Sequence, residues 1–278
     1  MKDMLLSICK NLNIENVGVA PVGPYRELEK ILRKRSQLVS GVALDEAEFK
    51  KRIDPCETFL DAQSVIVCLF PYFAGKNIKT NLAKYAHSRD YHLIIIEKLN
   101  VIGNFLKQHI EDFKYAAFTD NGPLIDRHLA YLAGLGFFGL NQHIINEQYG
   151  SYVLIGYMIN NYPFKADQPI KKKCCQCGAC IEKCPGKALG ESYQMNTTKC
   201  ISFITQKKGE LDVEEVSSLK ENNLVFGCDF CQDICPHNLK IPITPIKEFH
   251  ENLIYELNEK DVEGLSNRQF IVKYGERA

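Results

Sequence analysis

Nine cysteines lie between residues 174 and 235, seven of them in two spaced runs, and that spacing constrains the fold more than any other feature of the 278-residue chain. Cys174, Cys177, Cys180 and Cys184 form C-x2-C-x2-C-x3-C, followed at once by Pro185. The second run, Cys228-x2-Cys231-x3-Cys235, is followed by Pro236 and has one cysteine fewer; Cys200, upstream of it, can supply the missing thiol. Two-residue gaps let one loop wrap three corners of a cubane, and the proline turns the chain away after the last thiolate. In runs of this kind the fourth cysteine ligates the other cluster. Reciprocal sharing therefore assigns Cys174, Cys177, Cys180 and Cys235 to one [4Fe-4S] cluster, and Cys184, Cys200, Cys228 and Cys231 to a second. Cys175 is left over and is expected to point away. Zinc sites can be built from the same C-x2-C units. They need neither three cysteines at two-residue intervals nor a proline after the last cysteine of both runs.

The chain holds twelve cysteines. In a reducing compartment such a number reads as metal ligands before disulfides. Cys9, Cys56 and Cys68 are scattered through the first quarter and read as small buried hydrophobes. No run of uncharged apolar residues is long enough for a membrane-spanning helix. Met1-Lys2-Asp3-Met4 opens a polar-faced helical pattern and not a signal-peptide core, so a cytoplasmic protein without a membrane partner is expected. With 34 basic and 34 acidic side chains the formal net charge is +0. A nucleic acid would have to be met by a local patch and not by the field of the whole protein. Lys171, Lys172, Lys173, Lys207 and Lys208 flank the cysteine runs and are read either as solvated loop charges or as such a patch.

Residues 1–165 alternate helical and strand patterns, which predicts an α/β (α+β) domain. Leu5, Ile8 and Leu12 mark one helical face, and a short strand is expected at Val17–Ala20. Ser64–Phe70 is an apolar, β-branched run ended by Pro71, as in a strand buried on both faces. Ile95, Leu99, Ile102 and Leu106 recur at helical spacing. Tyr115–Phe118 reads as a strand entering the turn Thr119-Asp120-Asn121-Gly122-Pro123, followed by a helix carrying Ile125, Leu129 and Leu132. Ser151–Met158 reads as a further strand. The proline- and lysine-rich stretch at 161–173 predicts a linker into a ferredoxin-like domain over residues 166–245, with a polar C-terminal tail over 246–278.

Several stretches together resemble the epoxyqueuosine reductase family. They are Arg89-Asp90-Tyr91-His92, Phe118-Thr119-Asp120-Asn121-Gly122-Pro123 with Asp126-Arg127, Ala133-Gly134-Leu135-Gly136, and Tyr149-Gly150-Ser151-Tyr152. Lys199-Cys200-Ile201-Ser202-Phe203 with Thr205-Gln206, Gly227-Cys228-Asp229-Phe230-Cys231-Gln232 and Ser266-Asn267-Arg268-Gln269-Phe270 complete the set. The resemblance implies a cobalamin bound in the first domain and reduced through the two clusters. The implied reaction is removal of the epoxide oxygen of epoxyqueuosine at the tRNA wobble position, which gives queuosine in the final step of its biosynthesis. It implies Asp120 as proton donor, since a carboxylic acid can protonate the alkoxide as the epoxide opens. Asp120 would need desolvation under the corrin to hold its proton at neutral pH. Arg52, Ser202 and Gln206, with Asp120, stand where the family places corrin contacts. Asp90-x-His92 begins like a D-x-H-x-x-G corrinoid motif, but Ile95 occupies the glycine position, so His92 is not assigned to cobalt. Members commonly continue into a helical-repeat domain, so the chain reads as a short form. Its expected partners are the tRNA anticodon stem-loop and an external electron donor, and a monomer is expected.

Two other functions fit parts of this pattern. One is a cobalamin and iron–sulfur reductase of a small molecule, similar to reductive dehalogenases. The other is a ferredoxin-type electron carrier, which would have no use for the first 165 residues. Protein reconstituted anaerobically should hold about eight irons and eight sulfides, the content of two cubanes. Cys175→Ser should leave that content unchanged, and Cys177→Ser should lose one cluster; stoichiometric zinc with little sulfide would contradict the assignment.

Overall fold

The structure is a computed structural model that describes residues 1–38, 46–75 and 80–277, with the backbone alone at 36–38. Among the described residues are six strands: β1 (Val17–Ala20), β2 (Ser64–Pro71), β3 (Tyr115–Thr119), β4 (Phe137–Phe138), β5 (Ile144–Ile145) and β6 (Val153–Asn160). The chain divides into two compact units, each drawn from three stretches: 1–70, 95–137 and 154–172, then 71–94, 138–153 and 173–278. The units interleave along the sequence, where composition alone places one boundary near residue 165 and a tail from residue 246.

The first unit is built on a four-stranded sheet ordered β1-β2-β6-β3. β1 runs antiparallel to β2, pairing Val17 with Cys68 and Ala20 with Val65. β3 runs antiparallel to β6, pairing Tyr115 with Asn160 and Thr119 with Gly156. Every residue of β2 is buried, which accounts for its unbroken apolar run and its place inside the sheet. Helices α1 (Lys2–Asn11), α2 (Arg26–Leu38), α3 (Glu46–Ile53), most of α4 (Tyr91–His109) and α5 (Asp126–Leu132) complete this unit. Along α4, Ile95, Leu99, Ile102 and Leu106 are fully buried while Val101 is 47% exposed. The helix lies close on the sheet, because a Cβ at Gly156 would come within 2.5 Å of the Ile95 side chain.

Polar side chains close the strand ends. Ser64 Oγ donates to Tyr162 O at 2.8 Å and to Asn160 Oδ1 at 3.2 Å, and Asn160 Nδ2 donates to Ser64 O at 3.1 Å. Cys9 and Cys68 are both buried. A hydrogen bond with Cys9, and then burial, hold the Cys68 thiol well above its ordinary value, so this pair is packing and not a reactive site. Cys56 is half-buried. No helix among the described residues is long and apolar enough to cross a membrane.

In the second unit hydrogen bonds tie the segments around residues 80 and 250. Asn81 Nδ2 donates to Leu257 O at 2.8 Å, and its Oδ1 accepts from Leu257 N at 2.9 Å. Arg277 Nη1 donates to His87 O at 3.1 Å. Ile246 and Phe249 are buried, so residues 246–277 are part of this unit's packing. Replacing Leu99 by alanine should lower unfolding stability by about 2–5 kcal/mol, whereas Val101→Ala on the exposed face of the same helix should stay within about 0.5 kcal/mol. Urea denaturation followed by circular dichroism measures both.

Candidate functional site

The cysteines of the second unit sit on short helices and turns. α6 (Ala179–Lys183) starts after Gly178, whose φ of 76° is left-handed, and Gly178 O accepts from Ile181 N and Glu182 N. α7 (Ile201–Ile204) begins at Cys200, α8 (Val213–Asn222) follows, and α9 (Phe230–Asp233) lies between Cys228 and Cys235. Backbone amides point at two of the sulfurs: Gln176 N is 3.5 Å from Cys174 Sγ, and Ala188 N is 3.3 Å from Cys184 Sγ.

Electrostatic neighbours sort the thiols into two groups. Burial pushes Cys180 and Cys235 up, Cys235 to about 11, and each is raised further by Cys174 and Cys177. Burial pushes Cys228 up to about 12 and Cys231 well above its ordinary value, and both are raised further by Cys200 and Cys184. The first set, Cys174, Cys177, Cys180 and Cys235, lines one cavity floored by Leu140 and Ile145. The two sets are those that reciprocal sharing assigns to the two clusters. Thiolates gathered and desolvated in this way repel one another, and a cationic iron core is the counter-charge such a set takes. No three His, Cys, Asp or Glu side chains among the described residues are gathered as ligands of a single metal ion would be; thiolates at the corners of a cubane are spaced by the cluster's own edges. Cys175 is exposed at the rim of the cavity.

Non-cysteine residues of the second run hold it in place, and spacing alone gave no sign of them. Asp229 is buried, and its Oδ2 accepts from Lys84 N at 2.7 Å with Lys84 Nζ at 3.6 Å. Burial raises the Asp229 carboxyl, and the Lys84 ammonium works against that rise. Lys84 Nζ also pairs with Asp233 at 2.5 Å, and Asp233 accepts from the Tyr152 hydroxyl. Gln232, buried, accepts from Ser151 Oγ at 3.0 Å. Asn238 Oδ1 accepts from Ser151 N at 2.8 Å, and a Cβ on Gly150 would lie 1.9 Å from that oxygen. The Tyr149-Gly150-Ser151-Tyr152 stretch thus grips the second cysteine run. The signal in the sequence was a set of polar residues between ligands, unusual in a segment this buried.

Ser202 and Gln206 follow Cys200. Ser202 is half-buried and Gln206 exposed. Gln206 Nε2 donates to Ser202 O at 3.1 Å and lies 3.4 Å from Tyr85 Oη. Lys207 Nζ is paired with Glu215 at 2.8 Å, so its charge is already partly answered on α8. Lys171, Lys172, Lys173 and Lys208 are exposed.

Asp120 and Arg52 belong to the first unit. Asp120 follows the last residue of β3 with a left-handed φ of 52°, and it is exposed. Arg52, half-buried on α3, donates from Nη1 to Gly122 O at 3.0 Å. Thr119 Oγ1 donates to Ile155 O at 2.9 Å, and Leu124 N donates to Tyr157 Oη at 3.0 Å. Asp126 opens α5 and accepts from Arg127 N at 2.7 Å. Burial raises its carboxyl, Arg127 and Arg52 work against the rise, and Asp120 adds to it. Two carboxyls and a guanidinium therefore share one neighbourhood at the end of β3, suited to holding and moving a proton.

Residues 52–121 match the family described as "Epoxyqueuosine reductase QueG, DUF1730", and residues 173–238 match the "4Fe-4S double cluster binding domain". The cysteine segment is accordingly a site for two [4Fe-4S] clusters. An epoxyqueuosine reductase of Bacillus anthracis is 33% identical over 292 residues, covering 99% of this chain and 74% of that protein. A crystal structure of epoxyqueuosine reductase with an epoxyqueuosine-modified tRNA-Tyr stem loop is similar at 30% identity and a TM-score of 0.86, covering 100% of this chain and 76% of its own. The Bacillus subtilis enzyme, with its catalytic aspartate loop swung out of the active site, superposes with a TM-score of 0.85 at 30% identity over the same shares of the two chains. A reductive dehalogenase discussed for B12-dependent dehalogenation shares the fold at 15% identity, with a TM-score of 0.55 over 85% of this chain and 31% of its own.

The raised Asp126 carboxyl has a consequence for stability. Its folded-state value lies above the unfolded value of about 3.9, so its contribution is present below that pH and is lost as pH rises through the folded value. Asp126→Asn, which keeps the acceptor oxygen, should therefore raise the urea midpoint at pH 7 and leave it unchanged near pH 3. A lower midpoint at pH 7 would show that the arginines outweigh burial.

Proposed function

The chain belongs to the epoxyqueuosine reductase family, and on that premise we propose that it reduces epoxyqueuosine to queuosine at the wobble position of tRNA, with cobalamin and two [4Fe-4S] clusters as cofactors. The observation that carries this reading is the pairing, in one chain, of two four-thiol groups with an exposed carboxyl on the Thr119-Asp120-Asn121-Gly122-Pro123 turn. The relative crystallised with a modified stem loop supports an RNA substrate, and the fold shared with a B12-dependent type of reductase supports a corrinoid.

The balance of the reaction explains the arrangement. Both carbon–oxygen bonds of the epoxide break, a carbon–carbon double bond forms, and water leaves; two electrons and two protons are consumed. When bound, cobalamin supplies a strongly reducing, nucleophilic metal centre able to open the epoxide. Eight cysteines hold one-electron carriers, so electrons are taken in singly and stored in the protein. The Asp120 carboxyl delivers a proton to the epoxide oxygen as charge develops on it. Exposure of Asp120 in the first unit gives it access to solvent for reprotonation and to a substrate reaching it from outside. Arg52, half-buried, offers a guanidinium, Ser202 a hydroxyl and Gln206 an amide, groups that fit the amide-rich rim of a corrin. Neutral net charge and the Lys207–Glu215 pair leave RNA attraction to a small set of lysines, which gives a shallow dependence of affinity on salt.

The test is turnover of purified epoxyqueuosine-containing tRNA by the fully loaded protein, with a small epoxide and an organohalide as alternative substrates. Conversion of the tRNA nucleoside is expected. Reduction of a small molecule with the tRNA untouched would replace this reading by a small-molecule reductase. Asp120→Asn should keep both clusters and bound cobalamin while losing about 10²–10⁴-fold in turnover; near-normal turnover would remove Asp120 from the mechanism.

A further inference from the structure

The turn that carries Asp120 has little side-chain mass to hold it. Asp120 and Asn121 are exposed, and only Gly122 and Leu124 of the following residues are buried. Asp120 itself has a left-handed φ of 52°, a conformation that persists only where the surroundings impose it. Two side chains from elsewhere in the first unit take hold of the turn's backbone. Arg52 Nη1 donates to Gly122 O at 3.0 Å. Tyr157 Oη accepts from Leu124 N at 3.0 Å.

Tyr157 stands out among residues facing this turn. It is fully buried on β6, and its ring stacks on Phe118 of β3 at 5.4 Å between centroids and 29° between planes. Its hydroxyl lies so close to the turn that a Cβ on Gly122 would sit 2.1 Å from it. Leu124 is 1% exposed, so its N–H has poor access to water and depends on this acceptor. The glycine in the turn is thus required by Tyr157, whose hydroxyl is the nearest group to it, and by Phe118 Cβ at 2.9 Å.

We propose that Tyr157, together with Arg52, latches the backbone of residues 122–124 and so fixes the Asp120 carboxyl in the place from which it donates its proton. Tyr157 is a positioning residue: it touches the turn and not the substrate. The role of the held carboxyl rests on the reading of Asp120 as proton donor; the latch itself does not. Arg52, with one N–H committed to Gly122 O, couples the turn to α3, so a group bound against the arginine would also bear on the turn.

Tyr157→Phe keeps the ring and its stacking and removes the acceptor. In the cluster-loaded protein without tRNA, hydrogen exchange of the amides at 119–125 should become roughly tenfold faster, the worth of one lost buried hydrogen bond. Amides of α4 that exchange by local opening should change little. In turnover, kcat should fall about tenfold with KM for tRNA and the cobalamin spectrum unchanged. Gly122→Ala in the natural background should loosen the same amides, because the added methyl displaces the hydroxyl. In the Tyr157→Phe background the same alanine should cost less than in the natural one, because the contact with the hydroxyl at 2.1 Å is gone while those with Phe118 Cβ and the ring Cζ at 2.9 Å remain, so the two changes are non-additive. Unchanged exchange at 119–125 in Tyr157→Phe overturns the latch, and so does strict additivity of the two substitutions. A rise in KM with constant kcat overturns the positioning role. Normal turnover by Asp120→Asn would instead strike the proton-donor reading, while the exchange data still decide the latch.

Discussion

The last cysteine of each run lies with the thiols of the other run, and this crossing organises the second unit. Cys235 lies with Cys174, Cys177 and Cys180, and Cys184 lies with Cys200, Cys228 and Cys231. With clusters bound as the spacing assigns them, neither run would close around its iron alone, and residues 185–227 would be held at both ends by metal–sulfur bonds. Burial raises the thiols of Cys180, Cys228, Cys231 and Cys235, and a cluster bound to them as thiolates would add its binding energy to the stability of this unit. The Lys84–Asp229 pair and the Gln232–Ser151–Asn238 contacts then fix the second run from outside. They add hydrogen bonds to a segment whose Cys231 packs on Leu140, Cys180 and Leu189.

The first unit answers a different demand, an exposed acid held still. A sheet whose β2 is buried along its whole length and α4 packed against Gly156 provide a rigid base. β3 and β6 end beside the Asp120 turn, where Arg52 and Tyr157 reach its backbone. The sheet and its helices therefore carry an exposed carboxyl that itself sits on a turn, the usual division of labour between scaffold and loop.

Much of this was legible in the sequence, for identifiable reasons. Cluster ligands are covalently close, so their spacing encodes the site. β2 and α4 follow strong apolar patterns, and both are found within a few residues of where those patterns place them. The strand expected from Ser151 begins at Val153 because Ser151 and Tyr152 are drawn to Asn238 and Asp233. The interleaving of the two units was not legible. Segments 71–94 and 138–153 are held in the second unit largely through Asn81, Ser151 and Gln232, and buried hydrogen bonds leave no periodicity to read. The C-terminal stretch looked like a polar tail for the same reason, its anchors being Asn81 and Arg277. Nor did the sequence reveal Tyr157, the one aromatic of a largely aliphatic strand, whose hydroxyl matters through a backbone amide.

Tying the two units to one function is the claim that electrons gathered by the cysteine-held clusters are spent at an epoxide on tRNA with Asp120 supplying a proton. The most direct measurement is the mass of the wobble nucleoside in tRNA from a strain lacking this chain, with and without the gene restored. The account predicts a nucleoside one oxygen heavier than queuosine in the deletion strain, converted to queuosine by the restored natural chain and not by Asp120→Asn. Queuosine at its normal level in the deletion strain, in the absence of any second enzyme for the step, would contradict it.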